Sequence, residues 1–426
     1  RLDVENLLIG LFVSELDRPW LDTPFLFQGF LIETDDQLKD LRHYCKYVWV
    51  DPLRSIGWDP WRDTPERKEA LRRLEMLERD DHKNLPSLPL ELADRPSSGP
   101  FARSLNRYPD RAQLEQELPR AKEIQQQAEQ AVEKLFDDLR QHGTTDLDRA
   151  HEVMDGMVES IICNPDALAL LSRVKRASSY VYARSVSVAI SMLLFGRHLG
   201  FPRDHMQLLG AAGLLLDVGT ARIPPEILSK NGRLSAEEYD TIKRHVHLGL
   251  EMLRECKGIS EKLLNIVVCH HEREDGSGYP RGLRGAEIGV PGKMAAIVDC
   301  YDALTSERPY ARSFSPYEAL QHLYEWRQHL LHTELVEQFI QCLGIYPVGS
   351  LVELNSGEVA VVLAHNRVRR LKPRVLAILD PAKQPYGAPV PLDLLTAPKH
   401  AGGQPYEIAR ALEHGMYGID PSDYYL

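Results

Sequence analysis

The fold prediction depends on the stretch His270–Pro280, which reads HHEREDGSGYP. Its two histidines end the apolar run Leu263–Val268, and a helix through that run turns both imidazoles toward a core. Gly276 and Gly278, followed by Pro280, indicate a tight loop. Because a neutral imidazole is the commonest metal ligand in proteins, the pair predicts half of a metal site. Two core histidines before an ordinary loop are the alternative.

Other segments extend this pattern along the chain. They are Leu215–Thr220 (LLDVGT) followed by Ile223-Pro224, His245 with Gly249 four residues later, and Asp299–Tyr310 (DCYDALTSERPY). With the 270–280 stretch, these segments resemble the HD-GYP family of HD-superfamily phosphohydrolases, over Leu147 to Ile345. The resemblance implies an all-helical bundle that hydrolyses the second messenger cyclic di-GMP at a centre of two or three metal ions, usually iron or manganese.

Candidate metal ligands remain at five positions that match the family's ligands: Asp217, His245, His270, His271 and Asp299. Three other positions are replaced. Leu216 stands for the histidine of the family's His-Asp pair, Thr220 for its catalytic lysine and Arg184 for its first histidine ligand. In the family, the first metal site uses the first histidine, the His-Asp pair and the late aspartate, of which only Asp217 and Asp299 remain here. Leucine has no donor atom and arginine keeps its proton, so this first site should be empty or very weak. The resemblance leaves Asp217 and three histidines as a second site, for one divalent transition metal (iron, manganese or zinc) or for none.

Arg184 is also predicted to have an electrostatic role. It shares a helical face with Val181 and Val188, so its guanidinium should point inward. A buried charge needs a partner, and Asp217 and Asp299 would be two close carboxylates without their metal. We expect Arg184 to replace the missing cation. The alternative is that it reaches the surface and pairs with nothing in particular.

Three functions are compatible with this set of residues. Two-metal phosphodiester hydrolysis places metal charge on both the attacking and the leaving oxygen. Because one of the two metal sites should be empty or very weak in this chain, we expect hydrolysis to be impaired. The first function is a degenerate HD-GYP protein of cyclic di-GMP signalling that binds cyclic di-GMP, a protein partner or both. The second is an active cyclic di-GMP phosphodiesterase with a one-metal or rearranged centre. The third is a metal-free protein-interaction scaffold.

Ligand and partner contacts are expected at two arginines and one loop. Arg308, in the RPY segment, resembles the family's phosphate-binding arginine, and Arg312 is a basic residue just beyond it. Arginine can hold a phosphate with two parallel hydrogen bonds, although a cation at a helix end is the alternative for Arg308. In relatives the loop at Gly278, Tyr279 and Pro280 contacts partner proteins, notably diguanylate cyclase domains. The resemblance therefore implies such a partner here.

Composition narrows the remaining function classes. The 426 residues carry a formal net charge of −11, which argues against nucleic acid as a partner. Six scattered cysteines without CxxC spacing indicate reduced thiols. No apolar run approaches the roughly 20 residues of a membrane span, and no signal-peptide pattern is present. We therefore expect a cytoplasmic protein without membrane contact.

The predicted fold class is mainly α, with a small α/β or β domain before the helical bundle and a small β domain after it. The segments are an N-terminal domain at 1–52, a proline-rich charged linker at 53–110, the HD-GYP domain with a preceding long helix at 111–346, and a β domain with a tail at 347–426. In the long helix, apolar residues at spacings of three and four between Ala121 and Leu139 predict either a homodimer seam or packing on its own domain.

Overall fold

The computed structural model describes residues 2–17, 30–32, 34–51, 88–89, 92, 108–142, 145, 148–173, 180–230, 234–306, 314–367, 369–413, 415–419 and 424. These residues form two units, one within the N-terminal 81 residues and one that contains the bulk of the remaining chain. The second unit is built of helices followed by a five-stranded sheet, which confirms the mainly α fold class. Among the described helices, none combines the length and the apolar character needed to cross a bilayer.

The described residues of the N-terminal unit include a four-stranded antiparallel sheet and an α-helix. Its elements are β1 (Leu2–Asp3), β2 (Phe12–Leu16), β3 (Phe30–Leu31), α1 (Asp35–Tyr44) and β4 (Tyr47–Asp51), and the strand order is β1-β4-β2-β3. Thr34 caps α1 and forms a reciprocal capping box with Gln37, which fixes where the helix starts.

The short apolar run Leu7–Val13 predicts a buried strand, and this prediction is wrong over Leu7–Leu11. Gly10 has a φ of +96°, a left-handed conformation that turns the chain, so β2 begins only at Phe12. Leu7 and Leu11 are nevertheless buried. Leu8 and Ile9 between them are exposed, so an apolar run in the sequence does not by itself identify a buried strand.

Two further N-terminal segments, Phe25–Ile32 and Tyr47–Asp51, are also predicted to be strands. Of the strand predicted at Phe25–Ile32, Phe30–Leu31 is observed, and residues 25–29 lie outside the described residues. The strand predicted at Tyr47–Asp51 is confirmed. Most of the predicted linker at 53–110 lies outside the described residues, and the segment bounds remain predictions.

Consecutive helices form the core of the second unit. They are α2 (Leu114–His142), α3 (Asp148–Cys163), α4 (Pro165–Leu171), α5 (Tyr180–His198), α6 (Arg203–Leu215), α7 (Pro225–Leu228), α8 (Ala236–Lys243), α9 (His245–Glu255), α10 (Glu261–Cys269), α11 (Gly289–Thr305), α12 (Pro316–Trp326) and α13 (Thr333–Leu343). Helical periodicity predicts a single helix from Ala236 to Cys256, but the structure has two. The carbonyl oxygen of Ile242 accepts a hydrogen bond from the His245 ring, and a new helix starts at His245.

The apolar stripe of α2 faces its own unit. Ala121, Ala128 and Val132 are at most 1% exposed, and α2 packs against α3, α4 and α5. Because the stripe is covered within the chain, it is not available as a homodimer seam. The homodimer interface predicted between Ala121 and Leu139 is therefore wrong, and the alternative of packing on its own domain is observed.

A five-stranded antiparallel sheet follows the helices. Its strands are β5 (Leu351–Leu354), β6 (Val359–Ala364), β7 (Arg374–Leu379), β8 (Pro385–Asp393) and β9 (Ile408–Ala411), in the order β8-β7-β6-β5-β9. Asp166 at the start of α4 anchors the loop after β6, because it accepts hydrogen bonds from the His365 amide at 3.1 Å and from Arg367 Nη2 at 2.8 Å.

Candidate metal centre

Five helices and the residues at their ends bring the predicted site residues together. Arg184 lies on α5, Asp217 follows α6, His245 starts α9, His270 and His271 follow α10, and Asp299 lies on α11. One ligand atom from each of Asp217, His245, His270 and His271 lies within 4.8 Å of the other three. Rigid helices therefore hold the donor atoms in place, as expected for a preorganised site.

Two of the histidines have a defined tautomer. Nδ1 of His245 lies 2.7 Å from the Ile242 carbonyl oxygen, and Nδ1 of His270 lies 2.5 Å from that of Val267. A carbonyl oxygen only accepts, so each Nδ1 carries the proton and each neutral ring presents an unprotonated Nε2. Burial lowers the pKa of His245 to about 3 and also lowers the pKa of His270, which keeps both rings neutral.

The spacing of these donor atoms fits a metal ion. The two Nε2 atoms lie 3.2 Å apart, and Oδ1 of Asp217 lies 3.4 Å from Nε2 of His245. Atoms bound tetrahedrally at about 2.0–2.1 Å from an ion lie about 3.3 Å from one another. Two lone pairs facing each other at this distance repel unless a proton or a cation lies between them. Imidazoles with one carboxylate suit a divalent transition metal.

His271 completes the donor set from a different anchor. Its Nδ1 lies 3.5 Å from Oδ2 of Asp299, and its ring stacks on Tyr279 with 4.5 Å between ring centroids. Burial, followed by the neighbouring His270 and His245 rings, holds the pKa of His271 well below its ordinary value. This ring is also neutral and able to donate a lone pair.

Arg184 forms the cationic side of the centre. Its Nη2 donates to Oδ1 of Asp299 at 2.6 Å, its Nε lies 3.1 Å from Oδ2 of Asp302, and its Nη1 contacts Oδ2 of Asp217. The Arg184 side chain is 14% exposed, so the alternative of a surface arginine is wrong. Burial alone would raise the pKa of Asp299, but Arg184 holds it below its ordinary value.

Asp302 is a site residue that the sequence reasoning did not identify. It lies one helical turn after Asp299 on α11 and is 3% exposed. Burial raises its pKa, although Arg184 opposes that shift. The signal was the spacing of three residues between two aspartates in the DCYD segment, which places both carboxylates on one helical face.

The replaced family positions have ordinary structural roles in this chain. Leu216 is 1% exposed and belongs to the core. The Thr220 hydroxyl donates to the backbone carbonyl of Asp217 at 2.7 Å, which closes the turn after α6. Neither side chain offers a nitrogen donor to the centre.

The remaining predicted residues are placed only in part. Arg308 and Arg312 lie outside the described residues. Gly278 is buried, and Tyr279 packs against His271. A Cβ added at Gly278 would lie far inside van der Waals contact with backbone atoms of His271, Glu272 and Arg273, so only glycine fits there. A role of Gly278, Tyr279 and Pro280 in partner binding stays a prediction.

Comparison with known families gives two matches. Residues 1–150 match a domain of unknown function (DUF3391), and residues 169–334 match the HD domain. Among solved structures, Bd1817, an HDG"Y"P protein from Bdellovibrio bacteriovorus, aligns with a TM-score of 0.45 and 16% sequence identity, covering 80% of this chain and 94% of that chain.

Relatives that are named as cyclic-dinucleotide phosphodiesterases align over different lengths. The chain is 33% identical over 179 residues to the cyclic di-GMP phosphodiesterase response regulator RpfG of Xanthomonas campestris pv. campestris, covering 40% of this chain and 47% of that protein. It is 38% identical over 159 residues to the 3'3'-cGAMP-specific phosphodiesterase 1 of Vibrio cholerae, covering 36% of each. It is 34% identical over 377 residues to the cyclic di-GMP phosphodiesterase PA4108 of Pseudomonas aeruginosa, covering 88% of this chain and 84% of that protein. With that identity over most of both proteins, and with the HD domain matched over the centre, the chain belongs to the HD-GYP family of the HD superfamily.

Proposed function

We propose that this protein binds cyclic di-GMP at a centre with one divalent transition metal and hydrolyses it weakly or not at all. Relatives named as cyclic di-GMP phosphodiesterases support this ligand. One observation carries the impaired hydrolysis. The guanidinium of Arg184 lies among the carboxylates of Asp217, Asp299 and Asp302, at the position where the family resemblance places a histidine ligand.

The retained donors support a single ion. His245, His270, His271 and Asp217 would hold it, and the donor spacings of 3.2 and 3.4 Å fit its coordination. A divalent ion held there supplies positive charge to a phosphate oxygen of the ligand. Burial keeps the three imidazoles unprotonated, so they do not need to release protons before they bind the ion.

A second ion is disfavoured by charge and by donor chemistry. Arg184 keeps its proton and occupies lone pairs of Asp299 and Asp217 that a second metal would need. A fixed cation beside the first ion also repels a further divalent ion. Without paired ions, transition-state charge on the leaving oxygen loses its main stabiliser.

Metal analysis and turnover measurements on the full chain test this proposal. Purified protein should contain about one transition metal per chain, bind cyclic di-GMP in a calorimetric titration, and convert it far more slowly than the relative PA4108 under iron or manganese. Two metals per chain with fast turnover would reject the proposal. Absence of both metal and nucleotide binding would favour the metal-free scaffold.

An active phosphodiesterase with a one-metal or rearranged centre is the second candidate. The relatives named as phosphodiesterases favour it, because PA4108 is matched over 84% of its length. Turnover that requires the single bound metal and disappears in His270→Ala would support this candidate. Since another relative is named as 3'3'-cGAMP-specific, the same assays should compare both cyclic dinucleotides.

The proposal also names the residues of this chain that contact the phosphates of cyclic di-GMP and those that contact a protein partner. Arg308 and Arg312 are the proposed phosphate-binding residues, and the loop at Gly278, Tyr279 and Pro280 is the proposed site for a diguanylate cyclase-domain partner. Substituting both arginines by glutamine should weaken cyclic di-GMP binding and leave the metal content unchanged.

A further inference from the structure

The three histidines of the centre are not held in the same way. Backbone carbonyls of the preceding turn fix the Nδ1 atoms of His245 and His270. His271 instead presents Nδ1 to Asp299 at 3.5 Å, which is longer than a normal hydrogen bond. Another contact must therefore define the orientation of the His271 ring.

Tyr279 supplies that contact through its ring and its backbone. The two rings stack at an interplanar angle of 28°, with centroids 4.5 Å apart. The Tyr279 amide donates to the His271 carbonyl oxygen at 3.1 Å. The backbone of the loop between the two residues is closely packed, so that Gly278 has no room for a Cβ. The buried carboxylate of Glu272 also accepts a hydrogen bond from the Leu283 amide at 2.9 Å, which ties the loop to the residues that follow it.

Lys243 holds the Tyr279 ring in turn. Its ammonium lies 5.6 Å from the Tyr279 ring centroid and 5.0 Å from that of Tyr239, and its side chain is 13% exposed. Asp240 pairs with the same ammonium at 3.4 Å. A cation over two aromatic faces in a largely buried setting is attracted to both rings.

We propose that Tyr279 and Lys243 are positioning residues that orient His271 for metal binding. The inference rests on the proposed one-metal centre. In this arrangement the Tyr279 ring stacks on a metal ligand of its own chain and fixes the orientation of that ligand. Contacts that orient a ligating histidine are typically worth ~10–100-fold in metal affinity.

Two substitutions at Tyr279 separate the contribution of its ring to metal binding from that of its hydroxyl. Titration of the full chain with Co²⁺ gives both an affinity and a ligand-field spectrum. Tyr279→Phe keeps the ring and should retain the Co²⁺ affinity within about twofold, with an unchanged spectrum. Tyr279→Leu should lose ~10-fold in affinity and shift the ligand-field bands. Lys243→Met should lose a smaller factor, ~3-fold.

Tyr317→Leu provides the matched control. Tyr317 lies on α12 and stacks on Tyr346, with centroids 6.0 Å apart and an interplanar angle of 16°. Its loss should lower the unfolding temperature without changing the Co²⁺ spectrum.

Two results would overturn the positioning role while leaving the one-metal centre intact. They are a wild-type Co²⁺ affinity and spectrum in Tyr279→Leu, and an equal loss in Tyr279→Phe and Tyr279→Leu. A wild-type chain that binds no Co²⁺ would overturn both the positioning role and the proposed centre.

Discussion

Nη2 of Arg184 lies 2.6 Å from Oδ1 of Asp299, although 115 residues separate them in the chain. Both side chains are largely buried, at 14% and 5% exposed. The pair joins α5 to α11 at the centre. It also places a permanent positive charge beside carboxylates whose positions match metal ligands of the family. The charge of the centre is thus partly balanced before any ion binds.

Removing the Arg184 charge should destabilise the metal-free protein. In Arg184→Met, Asp299 keeps its burial but loses its partner, and three carboxylates are left close together. We expect the free energy of unfolding to fall by about 3–5 kcal/mol. Urea unfolding in the presence of a chelator measures this change.

Arg374→Met is the control for that experiment. Nη2 of Arg374 lies 2.6 Å from Glu115, but the two side chains are 38% and 57% exposed. A solvated ion pair contributes about 0–1 kcal/mol. Equal losses of unfolding free energy in the two variants would show that the buried Arg184 ion pairs stabilise the protein no more than the exposed pair does.

Restoring the family's donor residues should restore a second ion. In the triple variant Arg184→His, Leu216→His and Thr220→Lys, two imidazoles and an ammonium return to positions around Asp217 and Asp299. We expect about two metal ions per chain and a turnover of cyclic di-GMP at least ~100-fold above that of the wild type. Metal analysis and product chromatography measure the two quantities.

The triple variant with His270→Ala added is the matched control, because it keeps the restored residues but lacks a ligand of the retained site. Its turnover should return to the wild-type level. A correctly folded triple variant that binds a single ion and shows no gain in turnover would contradict the role assigned to Arg184.

The residue types in the sequence predicted which residues come together at the centre, but they did not predict the orientation and protonation of the histidine rings. Asp217, His245, His270 and His271 are brought together as the order of motifs suggested. The tautomers depend on carbonyl oxygens one turn earlier, and no residue type encodes which ring nitrogen faces them. Asp302 was not predicted because only Asp299 of the DCYD segment matches a ligand position of the family, although Asp302 lies one helical turn later and pairs with Arg184.

The helices were predicted better than the packing between them. Helical periodicity predicts helices at Tyr180–Leu199 and Arg203–Leu216, and α5 and α6 agree with those bounds to within one residue at each end. The anchoring of the C-terminal sheet was not predicted. His365 and Asp166 meet across 199 residues, and a local pattern carries no information about such a pair.

A close backbone contact should make Gly219 intolerant of any side chain. A Cβ there would lie far inside van der Waals contact with the carbonyl oxygen of His245 and the amide nitrogen of Gly249. Backbone atoms cannot move aside as a flexible side chain can, so Gly219→Ala should displace the start of α9. We expect a loss of about 3 kcal/mol or more in the free energy of unfolding and weaker Co²⁺ binding.

Gly387→Ala is the comparison for that substitution, since no heavy atom lies within 4 Å of the added Cβ. Its urea unfolding curve should remain close to that of the wild type. If Gly219→Ala unfolds like Gly387→Ala and binds Co²⁺ normally, the contact between the turn after α6 and α9 does not position His245.

His198 should make the stability of the protein depend on pH. Burial, with the nearby charges of Arg370 and Arg367, lowers the pKa of His198 to about 3, and its Nε2 lies 3.1 Å from Oε1 of Gln338. In the unfolded chain the ring takes up a proton near pH 6.5. Between about pH 6.5 and 3 the unfolded state therefore binds one more proton, and the free energy of unfolding falls as the pH falls, by at most about 1.4 kcal/mol per pH unit. Above pH 6.5 the ring is neutral in both states and adds no pH dependence.

The variant His198→Gln isolates this contribution from the other buried histidines. Glutamine can donate to Gln338 but does not titrate, so the difference in unfolding free energy between wild type and variant should change with pH below 6.5 and be constant above it. Urea unfolding at a series of pH values measures the difference. Parallel curves over the whole range would mean that His198 is protonated in the folded protein as readily as in the unfolded chain, and that burial beside Arg367 and Arg370 does not hold the ring neutral.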